Sequence, residues 1–367
     1  FEDFSNITTV NSLIHAEPTN PNRVADQAWE NGILMEQSDF NTGSGYISWF
    51  RGDLGSPISS IGYATSTNGI TWTPYAGNPI LSNHWVFPYV INYNSGYYMF
   101  VTNTTDNNLY LFNLTANHTS PSIMHGGLPV YYHSTTASNW DYTIFNPSVT
   151  VVNGTWHMLL EGKKSSGGFM IGYAWSTFAS LNWSAHRSSS AVIGTGSDDQ
   201  GNPYLTYVPE RSALLAVYGL NPGTYWGVRA AYGYTGTNLA VAANWTVASS
   251  ATFHISDASR HICDASILTP YTSTYPVMIS YSWAQVSIAQ SYYPGTLLQF
   301  FDQLVNGSRW SGDTSLMSRS GGIATFTDTS GAWKHIYSST KPMQAGYSFR
   351  TLTKLSVWAS IVGVGYV

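Results

Sequence analysis

Five positions of this chain share one register, and the side chains that occupy them are Glu30, Phe87, Asn146, Asn202 and Asp264. The register is set by a small residue or proline followed two places later by an apolar one, and successive positions lie 57, 59, 56 and 62 residues apart. Glu30 and Asp264 can hold or release a proton. Asn146 and Asn202 cannot: an amide neither sets a neighbour's pKa by its charge nor protonates a leaving oxygen. Hydrolysis by two carboxyls about 5–9.5 Å apart would therefore need another acid to have moved in. The sequence offers Glu161, at the end of a second strand, and Asp198 or Asp199 just before the fourth repeat. The catalytic set open to such chemistry is Glu30, Asp264 and Glu161. Trp29, Trp85, Phe87 and Tyr204 flank the repeating positions, where such rings either stack on sugars or pack between sheets. With Asn146, Asn202 and His261 they make a candidate carbohydrate-binding floor. His254, His261 and Asp264 fall close together but at irregular spacing, which fits a satisfied polar cluster better than a metal site. Neither a metal nor a cofactor is expected.

Side chains so far apart in sequence need strands to bring them together. Two stretches, Ile61-Gly62-Tyr63-Ala64-Thr65-Ser66 and Ile171-Gly172-Tyr173-Ala174-Trp175-Ser176, are nearly the same words, each followed by a tryptophan, Trp72 and Trp183. The chain reads as a repeat of hairpins. Residues 29–37 and 46–50 form the first, 86–93 and 97–102 the second, and 145–152 and 155–161 the third, whose Asn153-Gly154 is the strongest hairpin turn. Residues 203–208 with 213–218, and 263–269 with 275–283, complete five. Third strands follow at 61–66, 109–112, 171–176 and 226–231, and fourth strands are expected near Trp72, Trp183 and Trp245. Five units of about four strands predict an all-β fold, a five-bladed β-propeller over 25–300 with a central funnel lined by the innermost strands. A pair of β-sandwiches is the competing all-β arrangement. Residues 1–24 are read as an N-terminal extension.

Composition narrows the partners. Aromatic residues make up 15% of the chain and charged residues only 9%, with a formal charge of −5; no basic stripe is available for a nucleic-acid backbone. Tyr, Trp, Asn, Ser and Thr dominate the polar surface, a set that stacks on and hydrogen-bonds to neutral sugars, although aromatic and β-branched residues are also good strand formers. Cys263 is the single cysteine, which excludes an intramolecular disulfide and a cysteine-cluster metal site. Sequons stand at Asn6, Asn103, Asn113, Asn117, Asn153, Asn182, Asn244 and Asn306. Placed at strand ends or turns in a chain poor in charge, they point to a secreted or surface glycoprotein whose glycans supply solvation. The chain starts at Phe1 rather than Met and is read as processed or as part of a larger precursor. The apolar tail 355–367 is too short to span a bilayer and is expected to be a strand.

The run from Ile61 to Trp72, continued by Gly77-Asn78-Pro79-Ile80-Leu81, resembles the blade signature of the five-bladed β-propeller glycoside hydrolases, the arabinanase, xylosidase and invertase-like superfamily. Ser176 to Trp183 and Asn244-Trp245 repeat its end more loosely. The resemblance covers about residues 25–300 and implies carboxylates projecting into the funnel from different blades: an aspartate base or nucleophile in the first, a supporting aspartate in the third and a glutamate acid in the fourth. Carried over, those positions hold Glu30, Asn146 and Asn202, so the resemblance implies the scaffold with most of its cleaving groups replaced.

Beyond residue 300, Phe300-Phe301-Asp302, Trp310 to Asp313, Gly321 to Phe326 and Trp333 to Ser338 resemble the opening strands of a concanavalin-like lectin sandwich. Only about 65 residues remain, so 301–367 is expected to be a partial sandwich or an assembly element that pairs with the propeller or with another chain. Two functions follow. One is an extracellular or virion-surface glycoprotein whose glycosidase-like propeller serves glycan binding, adhesion or structural assembly. The other is an extracellular glycoside hydrolase with relocated carboxylates.

Overall fold

The computed structural model describes residues 8–15, 33–53, 59–69, 72–82, 84–114, 117–194, 199–221, 227–247, 262–268, 277–283 and 287–293, together with short strands between 310 and 338. Strands β1 (Thr8–His15), β2 (Ile33–Asn41), β3 (Tyr46–Asp53), β4 (Ser59–Ser66), β5 (Trp72–Pro74), β6 (Trp85–Tyr93), β7 (Gly96–Asn103), β8 (Asn108–Asn113) and β9 (Ser122–Ile123) come first. They are followed by β10 (Thr143–Val152), β11 (Thr155–Lys163), β12 (Phe169–Thr177), β13 (Asp199–Val208), β14 (Ala213–Asn221), β15 (Gly227–Tyr234), β16 (Trp245–Val247), β17 (Ile262–Leu268), β18 (Val277–Trp283) and β19 (Ser287–Tyr293).

These strands are all-β and have a propeller arrangement. Four antiparallel sheets follow one another along the chain: β2 to β5, β6 to β9, β10 to β12 and β13 to β16. A further sheet runs β1-β19-β18-β17, and β17 lies against β13 on one side and β2 on the other. Residues 8–15 thus belong to a sheet rather than to an extension, because the outer edge of β19 exposes backbone groups that β1 satisfies.

The hairpin turns follow their residues. Asn153 and Gly154, at φ 49° and 79°, make a two-residue turn between Val152 and Thr155, and Asn94 and Ser95, at φ 49° and 62°, do the same between Tyr93 and Gly96. Both central residues at positive φ match the right-handed twist of the flanking strands.

The repeated words pack between sheets. Ile61 and Tyr63 are buried with Val90, Met99 and Val101 of the second sheet, while Ile171 and Tyr173 are buried with Leu205, Leu214 and Ala216 of the fourth. Residues two apart face the same way in a strand, so the intervening glycine and alanine face the preceding sheet. There, Ala174 joins the cluster containing Phe100, Trp156 and Trp183. A Cβ on Gly172 would lie 2.1 Å from the Trp140 ring, which explains the glycine. The backbone of Ile61, Leu109 and Ile171 pairs with Leu81, Tyr131 and Ile193, respectively, as the chain leaves for the next inner strand. Asn78, in the segment after the first repeat, accepts from the Tyr63 N–H at 2.9 Å and donates to the Tyr63 carbonyl at 3.0 Å, standing in for a strand partner.

Two expectations need correction. Trp183 does not open a fourth strand: it is fully buried, is followed by a 3-10 turn over Ser184–His186, and fills the space between the second and third sheets. The first inner strand is Ile33–Asn41, not 29–37, because backbone pairing from Ile33↔Asp53 to Asn41↔Tyr46 fixes the register whatever the position of Trp29.

Residues 306–367 form a separate unit with 1–3. Its described strands are β20 (Trp310–Gly312), β21 (Met317–Ser320), β22 (Ile323–Phe326) and β23 (Ile336–Ser338), in two pairs, β20 with β23 and β21 with β22. The predicted strand at 355–367 lies outside the described residues.

Two outcomes are expected of this packing. Gly172→Ala should lower the unfolding free energy by about 1–3 kcal/mol, whereas Gly236→Ala, where a Cβ meets open space, should leave the denaturant midpoint unchanged. His157, whose Nδ1 lies 2.6 Å from the Tyr173 hydroxyl, has its pKa lowered from 6.5 to about 4 by burial. The unfolded chain takes a proton that the fold refuses, so this contribution is intact above pH 6.5 and is lost as pH falls toward about 4. Urea midpoints measured across that range should fall in the wild type and flatten in His157→Gln.

Candidate functional site

Strands β2, β6, β10, β13 and β17 each carry a one-residue irregularity. The register shifts between Met35 and Gln37 in β2, Val86 and Tyr89 in β6, Phe145 and Pro147 in β10, Gly201 and Tyr204 in β13, and Cys263 and Ser266 in β17. The extra residues are Glu36, Phe87, Asn146, Asn202 and Asp264. A bulge turns its residue out of the ladder and aims it away from the sheet. Phe87, Asn146 and Asn202 sit at φ 57°, 37° and 52°, a region asparagine tolerates and phenylalanine avoids. Proline follows each of the three.

This register differs from the one read in the sequence at one position. Glu36 takes the place assigned to Glu30, which lies outside the described residues with Trp29, Asp198, His254 and His261. Asp264 is placed on β17 by its backbone. The residue two places after each bulge would have revealed this: Ser38, Tyr89, Ser148, Tyr204 and Ser266 alternate serine with tyrosine, and only a bulge at Glu36 keeps that order.

Four of those residues, Ser38, Tyr89, Ser148 and Tyr204, form a layer that ties one inner strand to the next. Ser38 Oγ accepts from the Val90 N–H at 3.0 Å, and Ser148 Oγ accepts from the Leu205 N–H at 2.7 Å. The longer tyrosines reach the carbonyls: Tyr89 donates to Val149 at 2.8 Å and Tyr204 to Ile267 at 2.6 Å. Burial pushes the Tyr89 phenol up to about 12 and the Tyr204 phenol well above 10, so both remain protonated donors.

At the bulges themselves, Asn146, Asn202 and Glu161 converge. Asn146 Nδ2 donates to Glu161 Oε2 at 2.9 Å and also to Asn202 Oδ1. The backbone N–H of Asn202 donates to the same carboxylate oxygen at 2.6 Å. Glu161, on β11 opposite Phe145, is 4% exposed and sits against Gly201, where a Cβ would come within 2.3 Å of Oε2. Asn146 is 8% exposed, and its Oδ1 is buried without a hydrogen-bond partner among the described residues. The two amides are therefore joined over one buried carboxylate, and an acceptor atom is left over.

An aromatic row borders the cluster. Phe87 meets Phe145 edge-on at 5.4 Å, and Phe145 meets Phe169 at 5.5 Å. Arg51 lies 4.9 Å over Phe87 and Lys163 lies 4.8 Å over Phe169, giving the row a cation at each end. Asp199 Oδ1 accepts from the Phe169 N–H at 2.9 Å, which makes it a backbone support. Of the remaining expected floor residues, Trp85 packs edge-on against Tyr110 and Phe112 of its own sheet, and Tyr204 belongs to the layer below the bulges. Arg51, Phe145 and Phe169 were not legible as a site because their strand positions, not their spacing, bring them together.

The sequons differ in setting. Asn117, Asn153 and Asn182 are exposed, the first with its Oδ1 accepting from both the N–H and the hydroxyl of Thr119. Asn103, Asn113 and Asn244 are partly buried, and Asn6 and Asn306 lie outside the described residues. Among the described residues no group of three His, Cys, Asp or Glu side chains could hold a metal, and no helix is long and apolar enough to cross a membrane.

No family model matches the chain and no curated protein matches its sequence. Solved structures do. The chain is similar to a glycosyl hydrolase from Bacteroides ovatus, with 15% identity, TM-score 0.55, and coverage of 81% of this chain and 95% of that one. It is also similar to the α-L-arabinofuranosidase of Podospora anserina in complex with cellotriose, with 10% identity, TM-score 0.56 and coverage of 79% and 97%. A glycoside hydrolase from Parabacteroides distasonis gives 17% identity, TM-score 0.53 and coverage of 79% and 96%. At these identities the likeness shows a shared β-propeller fold.

The cluster makes its own prediction. Asn146→Asp sets a second carboxylate beside Glu161, and two such groups in contact do not both ionise readily. The variant should lose roughly 1–3 kcal/mol of stability at pH 7 and regain part of it on acidification, as the shared proton is taken up. Denaturant midpoints at pH 7 and pH 5 measure this.

Proposed function

We propose that this chain binds glycans through a five-bladed propeller of glycoside-hydrolase type in which amides have replaced the supporting acid and the general acid. The observation that carries the reading is the joined pair Asn146 and Asn202 at two bulge positions of the inner strands. Neither can donate a proton to a leaving oxygen, yet both offer hydrogen bonds to hydroxyls. The buried Asn146 Oδ1 is an acceptor with no hydrogen-bond partner among the described residues, and the Phe87 and Phe145 rings border the cluster. The sheet containing β1 and β17, lying between the first and fourth, supports the fifth blade.

The protein acts outside the cell as a glycoprotein of a cell or virion surface, in adhesion or assembly. Exposed Asn117, Asn153 and Asn182 support glycan attachment, and the short strand pairs beyond residue 305 support an assembly element that joins copies of the chain.

A second reading has a specific observation behind it. Glu161 has been drawn to the bulges from a second strand, and Glu36 and Asp264 occupy bulge positions on β2 and β17. Two of these carboxyls at catalytic separation would make a hydrolase with relocated acids.

A glycan array run beside a hydrolysis assay on the same polysaccharides separates the two. Binding without turnover is expected, with affinity falling about tenfold in Asn146→Ala as one hydrogen-bonding residue is removed. Turnover that disappears in Glu36→Gln or Glu161→Gln would replace the binding reading with the hydrolytic one.

A further inference from the structure

The inner strands also enclose a cavity that takes no part in the cluster at the bulges. Its volume is about 460 Å³, and the described residues lining it lie after the bulge on their own strands, or, for Asn94, in the turn that follows. The floor is made by Ser38, Tyr89 and Tyr204 of the hydroxyl layer, together with Ser266. Thr150 and Thr206 add hydroxyls to the wall, and Asp39 adds a carboxylate. Asn92 and Asn94, both exposed, mark the open end.

Chemistry limits what this space can hold. The volume lies in the range of small-ligand sites, about 300–1,000 Å³. Among the described residues no Lys, Arg or His lines it, so an anion there would lose its hydration without a cationic partner from them. The Tyr89 and Tyr204 hydroxyls are engaged with each other as well as with backbone carbonyls, whereas Ser38, which accepts from Val90, keeps its own proton to donate, and Thr150 and Thr206 add further hydroxyls. The tyrosine rings add apolar faces. Hydroxyls, the Asp39 carboxylate and aromatic faces together suit a ligand dense in hydroxyl groups and free of negative charge.

We propose that this cavity is a second binding site, for a neutral monosaccharide or cyclic polyol, separated from the bulge-end site by the Tyr89 and Tyr204 layer. It does not depend on whether the bulge end binds or cleaves glycans.

Calorimetric titration of the full chain with D-xylose, L-arabinose, D-glucose and myo-inositol tests it. At least one of these should bind. Thr206→Trp, which fills the space from the wall, should weaken that binding by about tenfold or more, and Asn146→Ala, which alters only the bulge end, should leave it within about twofold. If Thr206→Trp does not fold, Asp39→Asn gives the same readout through loss of a charged acceptor, with a weakening of about fivefold or more. Four outcomes overturn the proposal: no polyol binds, binding is unchanged by the cavity variants, Asn146→Ala abolishes it, or spermidine binds where the polyols do not. Failure of the glycan array with polyol binding retained would remove the bulge-end reading and leave this one standing.

Discussion

Each inner strand of a propeller is a sheet edge, with backbone groups facing a channel where no further strand can pair. The residue three places after the bulge shows how this protein meets that constraint. Its N–H and carbonyl point the same way, and the preceding blade satisfies one or the other: a short serine reaches the N–H of Val90 or Leu205, and a long tyrosine reaches the carbonyl of Val149 or Ile267. A buried backbone group left without a partner costs about 1–3 kcal/mol, so the alternation of Ser38, Tyr89, Ser148 and Tyr204 fixes the height of one inner strand against the next. Everything at the axis is positioned relative to that layer.

The layer divides the channel. Above it, the bulges turn Phe87, Asn146 and Asn202 out of their ladders, and positive φ at these positions favours asparagine on backbone grounds alone. The amides thus satisfy two demands at once, conformation and hydrogen bonding. The cost is the loss of an ionisable group at each position. Glu161 restores one carboxylate from a neighbouring strand, held by donors from two blades, and Gly201 is what gives that side chain space. Below the layer the chemistry is different, with hydroxyls and aromatic faces beside Asp39 among the described residues. The propeller thereby presents two environments at the two ends of one axis.

Between the blades, large buried rings do the joining: Trp49, Trp156, Trp183 and Tyr218 are at or near zero exposure. In a chain with so few charges, aromatic burial rather than ion pairing supplies the cohesion. Arg187 with Asp141 at 2.7 Å is a local exception, and it also fixes the Tyr131 hydroxyl through the same carboxylate oxygen.

The sequence by itself determined the all-β hairpin repeat, because turn pairs such as Asn153-Gly154 and the alternation in Ile-Gly-Tyr-Ala are local properties of the chain. It also determined that amides stand at positions 146 and 202. It did not determine the first inner strand, where the pattern of a small residue or proline followed two places later by an apolar one pointed to Glu30; pairing of β2 with β3 placed Glu36 at the bulge, since strand register is settled by partners and not by composition. Nor could it show that Glu161 reaches Asn146 and Asn202, that Arg51, Phe145 and Phe169 border them, or that a cavity lies beyond Tyr89 and Tyr204. Those depend on contacts between residues tens of positions apart, and only the closing of the sheets about a common axis brings them together.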